Sequence, residues 1–262
     1  MLQGDVVFRD LGLIIVDEEH RFGVMSKEKL KQNRENADVL MLSATPIPRT
    51  LALSLRGLRS ISLISEPPHN RIPVLTTAAP WNAGLVKSAV SRELERGGQV
   101  FYVTNRISRI EERAAFLRKL FPHAPLGVAH GRMRESELED TMLDFYNNRT
   151  RILLCTTIIE SGLDIPGANT LIVDDSQELG LAQMYQLRGR VGRREETSYA
   201  YFLYPAGHPL GRETLERIDA ITTLNETGAG YDLALQDLRI RGSGDILGIS
   251  QHGAESGGAD SF

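Results

Sequence analysis

Leu13-Ile14-Ile15-Val16-Asp17-Glu18-Glu19-His20 is the stretch whose reading decides the fold. Its first four residues are aliphatic without interruption. A strand with one wet face alternates, whereas a strand covered on both faces by helices does not, so this run predicts a buried strand of a parallel sheet. The run stops abruptly in three carboxylates and a histidine. Ligands of open α/β sheets bind just outside the carboxyl ends of strands, which is where these polar groups would lie. A strand that merely ends in an acidic turn is the plainer alternative.

Working outward, Val39-Leu40-Met41-Leu42 repeats the pattern and closes in Ser43-Ala44-Thr45-Pro46, small hydroxyl residues before a helix-initiating proline. Between the two runs, residues 26–36 are polar and charged, a surface helix or loop. Leu51, Leu55 and Leu58 keep helical spacing, and Ile61 to Ile64 reads as a further strand. Glu66-Pro67-Pro68-His69-Asn70-Arg71-Ile72-Pro73 suits an extended connector and opposes helix. The expected organisation is a first unit at 1–66, a linker at 67–80, a second unit at 81–206 and a distinct tail at 207–262.

The second unit alternates strands and helices. Leu85, Ala89 and Leu94 share a helical face that stops at Gly97-Gly98. Val100 to Val103 reads as a strand. Ser108-x-x-Glu111 reads as a capping box, opening a helix with Ile110, Ala114, Leu117 and Phe121 on one side and Pro122 as its stop. Strands follow at Leu126–Ala129, Ile152–Cys155, Thr170–Val173 and Tyr199–Leu203, with a helix bearing Leu138, Met142 and Phe145 between the first two. This alternation predicts an α/β fold with a doubly wound parallel sheet. After Pro205 the pattern changes to helices over 215–224 and 233–240 and a glycine-rich tail. Gly242-Ser243-Gly244 is not a dinucleotide fingerprint, because the third glycine falls one residue late and no strand precedes it.

Composition bounds the function loosely. The 262 residues have room for about two domains. Thirty Lys and Arg against 34 Asp and Glu leave a net charge of −4, which does not announce a nucleic-acid binder. Binding needs only a local basic surface, so it is not excluded. A single cysteine, Cys155, forbids an intrachain disulfide and fits a reducing compartment. No apolar run reaches the roughly 18 residues of a membrane span, and the N-terminus lacks a signal-peptide layout. A cytoplasmic protein without a membrane partner is expected.

Two further stretches carry chemistry. Gln186-Leu187-Arg188-Gly189-Arg190-Val191-Gly192-Arg193 spaces its arginines at two and three residues, with glycines that permit close backbone approach. An arginine aimed at a γ-phosphate is worth ~10³–10⁵ in rate where one is used; a solvated basic turn is the alternative. Thr156-Thr157-Ile158-Ile159-Glu160-Ser161-Gly162-Leu163-Asp164-Ile165-Pro166 follows a strand end with hydroxyls, a glycine and two carboxylates. Such groups suit a sugar–phosphate backbone or a ribose, or else a capped helix start.

Taken in order, these stretches resemble the motifs of superfamily 2 helicases. Asp17-Glu18-Glu19-His20 is similar to motif II, Ser43-Ala44-Thr45 to motif III, residues 156–166 to motif V and Gln186 to Arg193 to motif VI. Extended through Arg21-Phe22-Gly23-Val24 and Pro46-Ile47-Pro48-Arg49-Thr50, they resemble the families of bacterial transcription-repair coupling factors and RecG branch-migration helicases. Ile240 to Gly248, with Gln251, resembles the TRG element those families share. Glu19, where RecG has glutamine, and Ser243, where it has proline, favour the coupling factors.

The resemblance implies RecA-like folding: the end of a first motor domain, a complete second one, and a TRG-type helical hairpin. It implies ATP and Mg²⁺, with Asp17 holding the metal through water and Glu18 activating the attacking water. It implies that His20 passes the nucleotide state to Gln186, and that Arg190 and Arg193 face the γ-phosphate. Gly162 and Asp164 would face the nucleotide. Ser43 and Thr45 would link hydrolysis to DNA grip, Thr156 and Thr157 would meet the DNA backbone, and Arg241 and Gln251 would couple turnover to movement. The implied activity is ATP-driven translocation on double-stranded DNA that displaces stalled RNA polymerase and couples transcription to excision repair. RNA polymerase and the damage-recognition protein would bind through modules absent from this chain.

No Gly-x-x-x-x-Gly-Lys-Ser/Thr loop occurs in the sequence. The chain therefore reads as a fragment that does not hydrolyse ATP efficiently alone. A RecG-like branch-migration helicase and a non-catalytic RecA-like module that binds DNA or protein are the alternatives. His130-Gly131-Arg132-Met133 reads equally as part of a DNA track or as a simple turn. His69, His123 and His208 read as surface residues, Cys155 as strand packing, and Trp81 without a stacking role.

Overall fold

Strand and helix positions follow from which side chains find cover. In the computed structural model the described residues are 10–17, 37–43, 62, 64, 72–160, 165–192, 196–207, 209–223, 235–237 and 239–240. Two parallel sheets run through them. The first pairs β1 (Leu13–Asp17) with β2 (Asp38–Leu42), Asp17 standing opposite Leu42. The second comprises β3 (Leu75–Pro80), β4 (Gln99–Thr104), β5 (Leu126–Ala129), β6 (Ile152–Cys155), β7 (Ala168–Asp174) and β8 (Tyr199–Tyr204). Their order across the sheet is β3-β8-β7-β4-β6-β5, with every pair parallel.

Parallel neighbours need crossovers, and helices supply them. These are α1 (Ala83–Glu95), α2 (Ile110–Leu120), α3 (Glu135–Tyr146), α4 (Leu181–Arg188) and, after β8, α5 (Arg212–Thr223). The unbroken apolar strands divide by parity. Val100, Tyr102, Ile152, Leu154, Ile172, Tyr201 and Leu203 pack with Val86, Ala89 and Val90 of α1 and Ile110, Ala114 and Leu117 of α2. Phe101, Val103, Leu153, Cys155, Leu171, Val173, Ala200 and Phe202 pack on the other face with Phe145, Leu181, Met184, Leu187, Ala220 and Ile221. The doubly wound α/β expectation holds for the six-stranded sheet.

Local chemistry sets the helix ends. Asn82 caps α1, its Oδ1 accepting from the N–H groups of Gly84 at 2.7 Å and Leu85 at 3.2 Å. Gly97, at φ +80°, turns the chain out of α1 into β4. The expected stop of α2 before Pro122 is found, with Phe121 as the last cap.

Four expectations are corrected. The Ser108–Glu111 capping box does not form: Ile107–Arg109 make a 3₁₀ turn, α2 starts at Ile110, and no side chain caps it. Ser108 lies inside this turn and Arg109, which precedes α2, is right-handed helical, so the extended cap residue is Arg106, too early for the box. Residues 75–80, read as linker, form the edge strand β3 against β8. The prolines at 67–73 drew the boundary too late; Pro80 is tolerated because β3 is an edge strand. Ser62 and Ile64, the described positions of the strand expected at 61–64, are not in a strand, and Ile64 is 90% exposed. On α1 the buried stripe is Val86, Ala89, Val90 and Glu93, with Leu85 and Leu94 flanking it rather than defining it.

In the tail, the helix expected at 215–224 spans Arg212–Thr223, and residues 235–237 and 239–240 are helical as expected. No described helix is long and apolar enough to cross a membrane.

Candidate functional site

Polar residues gather where strands end. In the first sheet the parallel register sets Asp17 beside Leu42, so Ser43, the next residue along, sits next to the carboxyl end of β1. Asp17 and Ser43 are both exposed there. Two stretches separated by 25 residues of sequence thus meet at one sheet edge because β1 and β2 run in register. Glu18, His20 and Thr45 lie outside the described residues.

In the second sheet, Thr104 stands opposite Asp174, and Val103 opposite Cys155. The carboxyl ends of β4, β6 and β7 therefore form one edge, from which Thr156, Asn105 and Asp175 lead off. Thr156 is buried, its N–H donating to the Ala129 carbonyl at 3.2 Å. Thr157 opens a 3₁₀ turn over Thr157–Glu160 and is half-buried, so of the two hydroxyls it is the one within reach of a ligand. Gly162 and Asp164 lie outside the described residues. His130 to Met133 form a turn, closed by the Met133 N–H on the His130 carbonyl at 3.0 Å.

The arginine-rich stretch places its described side chains differently. Gln186, half-buried, occupies the last turn of α4. Arg190 is buried in the turn that follows, its N–H donating to the Leu187 carbonyl at 3.0 Å. Arg188 points inward: its Nη1 donates to the Ile221 carbonyl at 2.9 Å, placing a cation at the C-terminal end of α5. Gly192 has φ +80°, and a Cβ there would stand 2.6 Å from Val74 Cγ2. Only glycine meets both demands. Arg193, Arg241 and Gln251 lie outside the described residues.

Sequence reasoning missed the densest electrostatic feature of this edge. Arg113, on α2, pairs through Nε with Asp174, and both side chains are nearly fully buried. Arg109 pairs with Asp175, and Arg106 with Glu178, whose Oε2 also accepts from Asn105 at 3.3 Å. Burial pushes the Asp174 carboxyl above its ordinary range, with the Arg113 contact pulling the other way. Burial by itself lowers the Arg109 guanidinium, but the bond to Asp175 and the nearby carboxylates outweigh it and raise it. The signal was present: Asp174-Asp175 ends a buried strand in carboxylates, as Asp17-Glu18 does. Arg109 and Arg113 stand four residues apart, on one face of the α2 segment.

Trp81 belongs to the same neighbourhood. Its Nε1 donates to the Tyr102 hydroxyl at 3.3 Å, and the Arg113 guanidinium lies 4.5 Å from the ring centre. The ring also packs against Phe116, 5.5 Å between ring centres. Burial, then the Asp174 charge, push the Tyr102 hydroxyl upward, so it serves as a neutral acceptor for Trp81. Cys155 is fully buried strand packing as expected, and burial raises its thiol beyond reactivity.

Among the described residues no cluster of three or more His, Cys, Asp or Glu forms a metal cage. The exposed Asp17 carboxylate at the end of β1 suits Mg²⁺ held mainly by waters and phosphates, the usual way proteins hold this ion.

The helicase conserved C-terminal domain family matches residues 84–195. The transcription-repair-coupling factor of Staphylococcus aureus strain USA300 is 51% identical over 253 residues, 97% of this chain and 22% of that protein. This chain thus spans about a fifth of the length of the curated relatives it matches. Among solved structures, RecG bound to a three-way DNA junction is 38% identical, with a TM-score of 0.72, covering 93% of this chain and 32% of that one. Dbp5 of S. cerevisiae, bound to RNA and ADP BeF3, shares the fold at 15% identity and a TM-score of 0.58, over 87% of this chain and 63% of that one. The resemblance read from the motifs therefore stands: the chain is similar to transcription-repair-coupling factors, with RecG as a structural relative.

Proposed function

We propose that this chain, whose residues 84–195 match the helicase conserved C-terminal domain family, carries part of the motor of an ATP-driven translocase on double-stranded DNA. The observation that carries this reading is the 51% identity over 97% of the chain, which spans both the β1–β2 edge with Asp17 and Ser43 and the α4 turn with Gln186 and Arg190. A binding module without turnover would have no use for a carboxylate pair and an arginine pair on separate units.

In this reading Asp17 holds Mg²⁺ through water, and the ion neutralises phosphate charge when bound. Glu18 orients the attacking water, and Arg190 and Arg193 face the γ-phosphate from the second unit. Gly162 and Asp164 meet the nucleotide. Ser43, Thr45, Thr156, Thr157, Arg241 and Gln251 link turnover to DNA. His20 and Gln186 carry the nucleotide state between the units. The 262 residues contain no phosphate-cradling Gly-x-x-x-x-Gly-Lys loop, so turnover by this chain alone is not expected. The whole protein would act in the cytoplasm, removing stalled RNA polymerase and recruiting excision repair. The RecG resemblance leaves branch migration as the second reading.

The test is Mg²⁺-dependent ATP hydrolysis by the full-length protein, with and without duplex DNA. Glu18→Gln should abolish turnover and leave DNA binding intact. Arg193→Ala should raise the barrier by roughly 4–7 kcal/mol, the range for arginines acting on a transferring phosphate. A loss near 1 kcal/mol is what a mere surface ion pair would give, and it would remove Arg193 from the mechanism. Displacement of a stalled polymerase, as against migration of a branched junction, separates the two readings.

A further inference from the structure

The ion pairs at the carboxyl ends of β4 and β7 link two pieces of chain far apart in sequence. Residues 105–113 contribute Asn105, Arg106, Arg109 and Arg113; residues 174–178 contribute Asp174, Asp175 and Glu178. The second piece is a tight turn. Asp175 sits at φ 56° and ψ 39°, a left-handed conformation that side chains other than glycine seldom adopt. Ser176–Glu178 then make one 3₁₀ turn, closed by the Glu178 N–H on the Asp175 carbonyl and the Leu179 N–H on the Ser176 carbonyl, each at 3.1 Å. Leu181, three residues beyond Glu178, opens α4. From the other side, Arg217 of α5 donates to the Gln177 carbonyl at 3.4 Å.

A strained backbone persists only where its surroundings over-determine it. Here the surroundings are two arginines one helical turn apart, each on one of two consecutive aspartates. Arg113 anchors Asp174 at the end of β7, and Arg109 holds Asp175 after the chain has turned. The start of α4 is thereby referred to α2 and the end of β4. Gln186 and Arg190 lie five and nine residues into the segment that α4 begins. α4 has only eight residues, so an error at its start is carried to its end.

We propose that Arg109 and Asp175, backed by Arg113 and Asp174, are positioning residues for the nucleotide-facing end of α4: they set where Gln186 and Arg190 stand relative to the β4 edge. They touch no reacting atom. The proposal rests on the reading of Gln186 and Arg190 as phosphate-site residues. A displacement of about 1 Å in a group aimed at a transition state costs up to ~10²-fold in rate, whereas ground-state binding of the nucleotide tolerates it better.

The test uses the full-length protein and three variants. Asp175→Gly keeps the left-handed turn without strain and removes only the carboxylate. Arg109→Ala removes the partner, and Arg109→Lys returns a cation without the planar fork. The expected result for Asp175→Gly and Arg109→Ala is a fall of about ten- to a hundredfold in DNA-stimulated kcat for ATP, with KM changed less than about threefold and the melting temperature nearly kept. Arg109→Lys should recover part of the loss. Arg149→Ala, which breaks the exposed pair with Asp144, is the control and should leave kcat unchanged. Unchanged kcat in Asp175→Gly overturns the proposal, as does a loss that merely follows the folded fraction. Glu18→Gln is assayed in parallel: if it still turns over ATP, the phosphate-site reading fails and takes this proposal with it. If Glu18→Gln is dead while Asp175→Gly is fully active, the positioning role alone fails.

Discussion

The two sheets are written in the same sequence language and end in different states. β1 and β4 are both apolar runs that finish in polar residues. In β4 every position is buried, odd residues against one helical layer and even residues against the other. In β1 only Ile14 and Val16 are buried, while Leu13 and Ile15 are 54% and 57% exposed. β2 alternates in the same way, with Leu40 and Leu42 exposed. An unbroken apolar run thus encodes a demand for two covered faces, and whether the demand is met depends on the neighbours, not on the run. A six-stranded parallel sheet with helices on both faces meets it, whereas the β1–β2 pair meets it on one face.

That contrast is open to direct attack. The largest effect expected is all-or-none: a chain of residues 72–223 should unfold cooperatively in urea, and a chain of residues 1–66 should show no cooperative transition, because its described strands bury only Ile14 and Val16 among their apolar residues. Cooperative unfolding of 1–66 would mean that the β1–β2 unit covers its own apolar face. Next in size, Phe145→Ala in the six-stranded unit should cost about 3–5 kcal/mol, since the ring is fully buried and packs 5.0 Å from Phe101. Ile15→Ala, removing as apolar a side chain from β1, should stay within about 0.5 kcal/mol. Equal losses at the two positions, read by chemical denaturation, would erase the distinction.

A smaller effect tests how the six-stranded unit holds its edge. Gly192→Ala should destabilise by about 1–3 kcal/mol, from backbone strain at φ +80° and the clash with Val74, which precedes β3. Gly131→Ala, where a Cβ would meet nothing within 4 Å, should cost far less. Thermal melts of the two variants side by side separate close approach from mere loss of glycine.

The smallest effect concerns pH. Burial raises the folded Asp174 carboxyl above its ordinary range, so the folded protein keeps that proton to higher pH than the unfolded chain. The group therefore favours folding at acid pH, and the contribution is lost as pH rises from the ordinary aspartate range through the folded value. Asp174→Asn removes the titration. The stability of the parent relative to the variant should grow as pH falls across that window, measured by urea melts at a series of pH values. A difference that shrinks on acidification would mean that Arg113, rather than burial, governs the carboxylate.

The strand–helix alternation and the motif order were legible in the sequence because each is local: an aliphatic run, a helical stripe, a glycine stop. Leu126–Ala129 and Ile152–Cys155 appear where the apolar pattern placed them, and the core side of α2 is the expected Ile110, Ala114, Leu117 and Phe121. Edge strand β3 was not legible, because Leu75-Thr76-Thr77-Ala78-Ala79-Pro80 is only weakly apolar and becomes a strand by pairing with β8, more than 100 residues later. The same limit applies to the arginines. Spacing alone presented Arg188 and Arg190 as equivalent, and only the packing of α4 on α5 turned Arg188 to the Ile221 carbonyl. The sequence by itself determined a doubly wound parallel fold, carboxylates at strand ends and the helicase motifs, since these depend on residue type and short-range period. Tertiary structure alone decided that Asp17 and Ser43 share an edge, that Asp174 and Asp175 are held by Arg113 and Arg109, and which of two similar strands is buried on both faces. Those outcomes depend on register and on neighbours distant in sequence, which no local pattern encodes.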